Sequence, residues 1–370
     1  MENLQVIKKD KSVYIHIPFC DSICSYCDFC KFIKNEKWIY DYLEELNNEI
    51  KQNYKGEIIN TIYIGGGTPS CLDIKQLNKL FEIIKIFKIS KNIEFTFECN
   101  IENITQDKLK LLYDNGVNRL SIGIQTFNEK YLKYLNRNHN KNIIKEKIIL
   151  AKQIGFTNIN IDLIYALPNQ TIEDLKEDLE EFLKLDITHI STYSLIIEPH
   201  TKLYINNESN IDEELDYEMY NTIINTLESN GYKHYEISNF SKEGYESKHN
   251  LTYWNNNEYY GFGVGASGYI DGVRYDNTRS INEYFNNNYV LDSHELYKEE
   301  IIENEFILGL RKIDGINKKD FYNKYNIDIK SIDVVSRLLK ENKLLEDEKN
   351  IYINPKYIYV SNDILIEFNQ

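Results

Sequence analysis

The chain has 370 residues, six of them cysteine, with 42% hydrophobic and 13% aromatic content and a formal net charge of −15. This is a foldable globular composition, long enough for one large domain and a smaller one; its acidic balance repels polyanions and makes DNA or RNA a poor partner. No apolar run approaches the ~20 residues that span a bilayer, and Met1 to Lys11 has neither a signal-peptide core nor an Arg-rich transit pattern, so a cytoplasmic location is expected, with peripheral membrane association left open.

From Ser12 onward, strand-like and helix-like segments alternate. Ser12–Ile17, Thr61–Ile64, Ile93–Glu98, Arg119–Gln125, Asn158–Tyr165 and His189–Ile197 are short and rich in Ile, Val, Tyr, Phe or Thr, which predicts strands. Between them Asn35–Tyr54 carries an apolar stripe at Trp38, Tyr42, Leu46 and Ile50, and Ile74–Phe87, Thr105–Asn115, Asn140–Ile154, Ile172–Leu185 and Glu213–Asn230 read as helices as well. Thr105 offers a capping hydroxyl, and Gly116 and Gly155 stand where helices should end. Successive strand–helix units predict an α/β fold with a parallel sheet and right-handed crossovers. Six units fall short of a closed eightfold barrel, so a partial (β/α)6 barrel is expected over 1–232, with its chemistry at the C-terminal strand ends. The Tyr-, Gly- and Asn-rich stretch His234–Tyr275 reads as an irregular connecting layer within 233–295. Helices at Leu296–Leu310 and Ile332–Glu341, with short strands at Ile351–Ile353 and Tyr357–Val360, suggest a compact winged-helix-type domain over 296–370.

Three cysteines, Cys20, Cys24 and Cys27, follow the first strand at C-x3-C-x2-C spacing. Thiolates so spaced can each hold one iron of a [4Fe–4S] cube, leaving the fourth iron open to a small molecule. Disulfides are disfavoured in so long a chain with so few cysteines. Structural zinc wants four ligands, usually in two C-x2-C pairs, and no second pair follows; Cys30 would make a cramped fourth. A plain buried thiol is the commonest outcome for Cys30, and Cys71 and Cys99 carry no spacing signal.

Four more features fall at predicted strand ends on the same face. Gly65-Gly66-Gly67-Thr68-Pro69 exposes backbone N–H and C=O groups to a ligand, although a tight strand–helix turn needs glycine too. Glu98 and Gln125 end their strands. Asp162 lies inside an apolar strand, where an unpaired carboxylate is costly; Arg137 is its candidate ion partner or another ligand contact.

Together, YIHIPFC-x3-C-x2-C, GGGTP, SIGIQTF, and Asp162 before Leu167-Pro168 resemble the radical S-adenosylmethionine (SAM) proteins of the coproporphyrinogen dehydrogenase and haem chaperone group, over nearly the whole chain. The resemblance implies that Cys20, Cys24 and Cys27 ligate the cluster. The amino and carboxylate groups of SAM would take the open iron, and its methionine part would lie on Gly65, Gly66, Gly67 and Thr68. Tyr14, Glu98, Gln125, Arg137 and Asp162 would complete the SAM contacts. It also implies one-electron reduction of the sulfonium to methionine and a 5′-deoxyadenosyl radical.

Two features favour the haem chaperone branch. Phe29 stands where the dehydrogenases carry a further cysteine, and only 19 residues precede Cys20. The run His249-Asn250-Leu251-Thr252-Tyr253-Trp254 matches that branch's H-N-x-x-Y-W motif, which implies haem binding at His249; Tyr253 and Trp254 read as packing residues. His16 is expected near the cluster, and His139 is unassigned. The leading expectation is a haem chaperone with a [4Fe–4S] cluster and SAM, delivering haem to haemoproteins such as respiratory enzymes. Two alternatives stand: oxidative decarboxylation of coproporphyrinogen III to protoporphyrinogen IX, and a zinc-stabilised interaction protein.

Overall fold

A computed structural model describes residues 11–206 and 208–369; the expectation for the first ten residues lies outside them. Six parallel strands stand side by side in chain order: β1 (Lys11–Ile17), β2 (Ile58–Gly66), β3 (Lys88–Asn100), β4 (Arg119–Gln125), β5 (Asn158–Tyr165) and β6 (His189–Ser194). Each is followed by a crossover helix: α1 (Glu36–Asn53), α2 (Ile74–Ile84), α3 (Gln106–Asp114), α4 (Lys141–Ile154), α5 (Ile172–Leu183) and α6 (Glu213–Ser229).

Local chemistry explains the boundaries. Thr105 accepts from the Lys108 N–H to start α3, and Gly155, at φ +124, ends α4 in a conformation that a Cβ disfavours. Asp73 and Thr171 close capping boxes on α2 and α5. The four-residue stripe expected on α1 drifts, because a helix turns every 3.6 residues: Trp38 stays 37% exposed, while Ile39 and Leu43 join Tyr42, Leu46 and Ile50 in the core. The strand expected to reach Ile197 stops at Ser194.

Neither edge of the six-strand set is left bare. The stretch expected as an irregular connecting layer adds β7 (Lys233–Glu236) and β8 (Asn239–Ser241) beside β6, where Asn239 pairs Ser191. It also supplies β9 (Tyr259–Phe262), parallel to β1, then β10 (Ser267–Ile270), β11 (Val273–Asn277) and β12 (Val290–Glu295). These strands are too short for a period-2 signal; their partners define them. Between β8 and β9 lies α7 (Lys248–Trp254).

Buried Glu49 ties α1 to this added layer. It accepts hydrogen bonds from the Gly263 N–H (2.8 Å), Asn277 Nδ2 (2.6 Å) and the Tyr284 hydroxyl (2.6 Å).

The C-terminal stretch has its own apolar core around Phe306, Phe321, Val335, Leu338 and Ile351. Its order is helix Lys298–Gly309, strand Ile316–Asn317, helices Lys318–Tyr325 and Asp333–Lys340, then a hairpin of Leu344–Glu346 with Asn350–Ile353. The strand expected at Tyr357–Val360 is absent there. Asn354 caps a single 3-10 turn at Pro355–Tyr357, because proline presets the turn and has no N–H to give a ladder. Among the described residues no helix is long and apolar enough to cross a membrane.

Candidate functional site

Strand register stacks the inward-facing side chains in rows. Thr61 pairs Glu94 at the bottom. Above them Tyr14, Tyr63, Thr96 and Arg119 form one row, Glu98, Ser121, Asn160 and His189 the next, and Asn100, Gly123, Asp162 and Ser191 the third. A cavity of about 420 Å³ follows this interior from the cysteine loop at the strand ends down to Arg119 and Asn250.

The cysteine loop is pinned at its base and along its length. Phe19–Cys20 pairs with Phe32–Ile33 in a two-strand ribbon, so residues between them bulge over the cavity mouth. The Ser25 N–H donates to Leu135 O (3.2 Å), and Lys31 Nζ donates to Cys27 O (2.7 Å). Cys20, Cys24 and Cys27 all line the cavity as free thiols, with Thr68 Oγ1 donating to Cys20 Sγ (3.5 Å). Burial pushes the Cys20 thiol up to about 11 and raises Cys27 as well, so these groups need a metal's positive charge to become thiolates.

The glycine run packs where nothing larger fits. A Cβ on Gly65 would meet Glu98 Cδ at 2.8 Å, one on Gly66 would meet the His16 ring at 2.7 Å, and one on Gly67 would meet Phe19 O at 2.9 Å and Cys20 Sγ at 3.0 Å. Glu98 is tied to this run, accepting from the Gly66 N–H (3.0 Å) and the Tyr63 hydroxyl (2.7 Å). Burial nonetheless raises Glu98 to about 7. Asp162 accepts from Asn160 Nδ2 (2.9 Å), and burial raises it to about 6.

Arg137 does not form the expected pair with Asp162. Its Nη2 donates to the Tyr26 hydroxyl (3.2 Å), while its Nε, like that of Arg119, is buried without a hydrogen-bond partner. Gly123 permits this, since a Cβ there would meet Arg137 Nη2 at 2.9 Å.

The structure thus brings Gly66, Gly67, Thr68, Glu98, Gln125, Arg137 and Asp162 together with the three cysteines around one cavity. Tyr14 and Gly65 stand behind its wall: the Tyr14 hydroxyl meets His16 Nδ1 (2.9 Å), and Gly65 backs Glu98. His16 lies beneath the cysteine loop as expected, its Nε2 bonded to Cys30 O (2.7 Å). Tyr63, Arg119, Ser121, Asn160 and Asn250 line the cavity unforeseen. Arg119, Ser121, Gly123 and Gln125 alternate along one strand, so period 2 was the available signal for the first two.

His249, the residue expected to bind haem, packs at the foot of the barrel. It is 1% exposed on α7, below the Tyr63 row. Glu94 accepts from the Lys248 and His249 N–H groups (3.0 and 2.9 Å), fastening the helix under the barrel. The ring bonds Thr61 Oγ1 through Nδ1 and the Tyr253 hydroxyl through Nε2, both at 2.7 Å. Both nitrogens are engaged, and the cavity is reached by its neighbour Asn250 instead. His139 is likewise committed, to Glu102 (3.0 Å) and Ile124 O (3.1 Å).

The donor set fits the groups the cysteine motif implies. Three thiols share the cavity mouth, a glycine cradle admits a close backbone approach, and two carboxylates face two buried guanidinium Nε atoms with no partner. Among the described residues no three His, Cys, Asp or Glu side chains are placed to hold a single metal ion, so nothing supports the zinc alternative.

Known proteins agree with this geometry. The pattern of the radical SAM superfamily matches residues 14–182. The chain is 40% identical to the heme chaperone HemW of Lactococcus lactis, over 98% of each chain. It is 39% identical to HemW of Bacillus subtilis, over 97% of this chain and 99% of that one. The structure of Escherichia coli coproporphyrinogen III oxidase, HemN, superposes with a TM-score of 0.86 over 98% of this chain and 90% of that one, at 23% identity, a likeness of fold. With such identity along nearly its whole length, this chain belongs to the HemW family of radical SAM proteins.

Proposed function

We propose that the protein is a haem chaperone that carries a [4Fe–4S] cluster and SAM and passes haem to client haemoproteins. The observation that carries this reading is the meeting of Cys20, Cys24 and Cys27 with the glycine cradle in one cavity, in a chain so close to proteins named heme chaperone. Cys20, Cys24 and Cys27 would hold the cluster. The backbone of Gly66 and Gly67, with Thr68, Glu98, Gln125, Arg137 and Asp162, would hold SAM, and Gly65 and Tyr14 would support them from behind. Bound together, cluster and SAM supply one-electron chemistry at the sulfonium.

The residues give that chemistry its setting. Glu98 and Asp162 offer carboxylates to a cationic ligand, and their ionised fraction grows from about pH 6 to 7 upward. Arg119 and Arg137 balance them electrostatically.

Six free cysteines support a cytoplasmic location. We also keep the division at 232/233 and 295/296, with the last segment as a winged-helix-type unit: its own core and its helix–strand–helix–helix–hairpin order support that reading. Respiratory enzymes are the proposed clients.

Anaerobic reconstitution tests the function. SAM is expected to perturb the cluster spectrum, and added haem to bind with a defined Soret band. Absence of haem binding by the reconstituted wild type refutes the chaperone reading. Turnover of coproporphyrinogen III with reductant and SAM would replace it with the dehydrogenase.

A further inference from the structure

The hydrogen bonds behind Asp162 run in one direction. Asn160 stands two residues before it on β5 and pairs in register with His189 of β6, as Asp162 does with Ser191. Asn160 and His189 are buried, at 2% and 0% exposure. Asn160 Nδ2 donates to Asp162 Oδ1 and to Ser121 Oγ, both at 2.9 Å. Its amide oxygen therefore points the other way, toward His189 Nδ1 (2.6 Å) and Ser191 Oγ (3.1 Å). A serine hydroxyl has one proton, and the shorter contact of Ser191, at 2.6 Å, is to Asn239 Oδ1. His189 Nδ1 is thus the donor that holds the Asn160 oxygen.

The far side of the ring agrees. A neutral imidazole with its proton on Nδ1 accepts at Nε2. The Tyr235 hydroxyl lies 2.7 Å from Nε2 and already accepts from the Ser247 N–H (3.2 Å), which leaves its own proton for His189. The order is Ser247 to Tyr235, Tyr235 to His189, His189 to Asn160 and Asn160 to Asp162. Burial, with the charge of Arg119 assisting, keeps the His189 ring neutral, as that order requires. Ser247 caps α7, whose Asn250 reaches the same cavity that Asp162 lines.

Packing alone does not call for this chain of bonds. An aliphatic side chain fills the middle of a sheet without having two nitrogens to satisfy. A bond accepted at one end of an amide or a ring strengthens the bond donated at the other. A donor fixed behind a carboxylate also fixes the direction in which that carboxylate faces a ligand.

We propose that His189, acting through Asn160, positions the Asp162 carboxylate toward SAM. His189 is a positioning residue: it stands behind the cavity wall, whereas Asn160 and Asp162 line it. This role rests on the reading of Asp162 as a SAM contact and adds what holds it in place.

The test is an anaerobic calorimetric titration of SAM into the reconstituted full chain and its variants. His189→Leu removes both ring nitrogens and is expected to weaken SAM binding roughly tenfold or more. His189→Asn keeps a donor near the place of Nδ1 while losing the Tyr235 contact, and is expected to recover most of that affinity. Equal losses in the two variants show a packing role and overturn the proposal, and so does wild-type affinity in His189→Leu. Asn160→Asp serves where neither His189 variant folds, since it keeps the shape but sets a carboxylate oxygen against Asp162. Made in the Glu98→Gln background, it is expected to move the rise of SAM affinity with pH upward by about one pH unit or more. Tyr63 of β2, residue 98 of β3, Arg119 of β4, Tyr193 of β6 and Arg137 also face Asp162 and are the same in both proteins of that pair. An unmoved profile overturns the proposal. Asp162→Asn binding SAM as tightly as the wild type refutes instead the Asp162 contact on which the role rests.

Discussion

His249→Ala separates a floor residue from a haem ligand. Its imidazole bonds the Thr61 hydroxyl through one nitrogen and the Tyr253 hydroxyl through the other, both at 2.7 Å, with Thr61 buried and Tyr253 half-buried. Removing the ring leaves two interior polar atoms short of a partner, at about 1–3 kcal/mol each. It also opens a void where Tyr63 and Tyr14 pack against the ring, at centroid distances of 5.1 and 6.5 Å. These terms overlap, so the expected loss is about 3–5 kcal/mol, a large part of an ordinary domain's stability. Urea unfolding of the anaerobic holoprotein, followed by circular dichroism, measures it as a lowered midpoint.

The pH dependence adds a second readout. Burial lowers the His249 pKa to about 3, with the positive charge of Arg119 assisting. An unfolded histidine takes up a proton below about pH 6.5. The native ring stays neutral to about pH 3, so in that window the unfolded state binds more protons and stability falls as pH falls. The slope is up to about 1.4 kcal/mol per pH unit. Glu49, Glu98 and Asp162, raised by burial, contribute with the opposite sign. They are common to both proteins and cancel in the comparison. The gap between wild type and His249→Ala should therefore narrow by about 2–3 kcal/mol from pH 6.5 to 4.5. Haem binding lost with stability changed by less than about 1 kcal/mol would refute the floor role and return His249 to ligation.

Glu98→Gln should weaken SAM binding at pH 8 and remove the part of its pH dependence centred near 7, leaving that of Asp162 near 6: the wild-type Glu98 carboxylate, raised to about 7, loses its charge as pH falls through that value. Calorimetric titration with SAM checks this, and parallel pH profiles for the two proteins would count against a carboxylate contact. Gly67→Ala places a methyl 2.9 Å from Phe19 O and from Pro18 C, backbone atoms that cannot swing aside, at a cost of about 1–3 kcal/mol. Iron and sulfide per chain after reconstitution should drop, and wild-type content would show that the loop has slack.

The strand–helix alternation was legible in the chain because each parallel strand is buried on both faces and reads as an apolar run, and each helix repeats its apolar residues with the helical period. The cysteine spacing and the glycine run were legible too, since both are local: one short strand end and the loop after it present all three thiols, and one turn needs the missing side chains. What required the folded molecule is everything set by pairing between distant segments. Arg137 lies near Asp162 along the wall yet turns to Tyr26, because the cysteine loop brings that hydroxyl over it. The short strands from Lys233 to Asn277 exist only against the edges they cover. The H-N-x-x-Y-W run shows its residue types but not which way they face, and Glu94, Thr61 and Ser12, all far away in sequence, hold its helix under the barrel. Spacing along the chain states which atoms are within a turn of one another; only packing across the sheet decides which of them have bonds to spare.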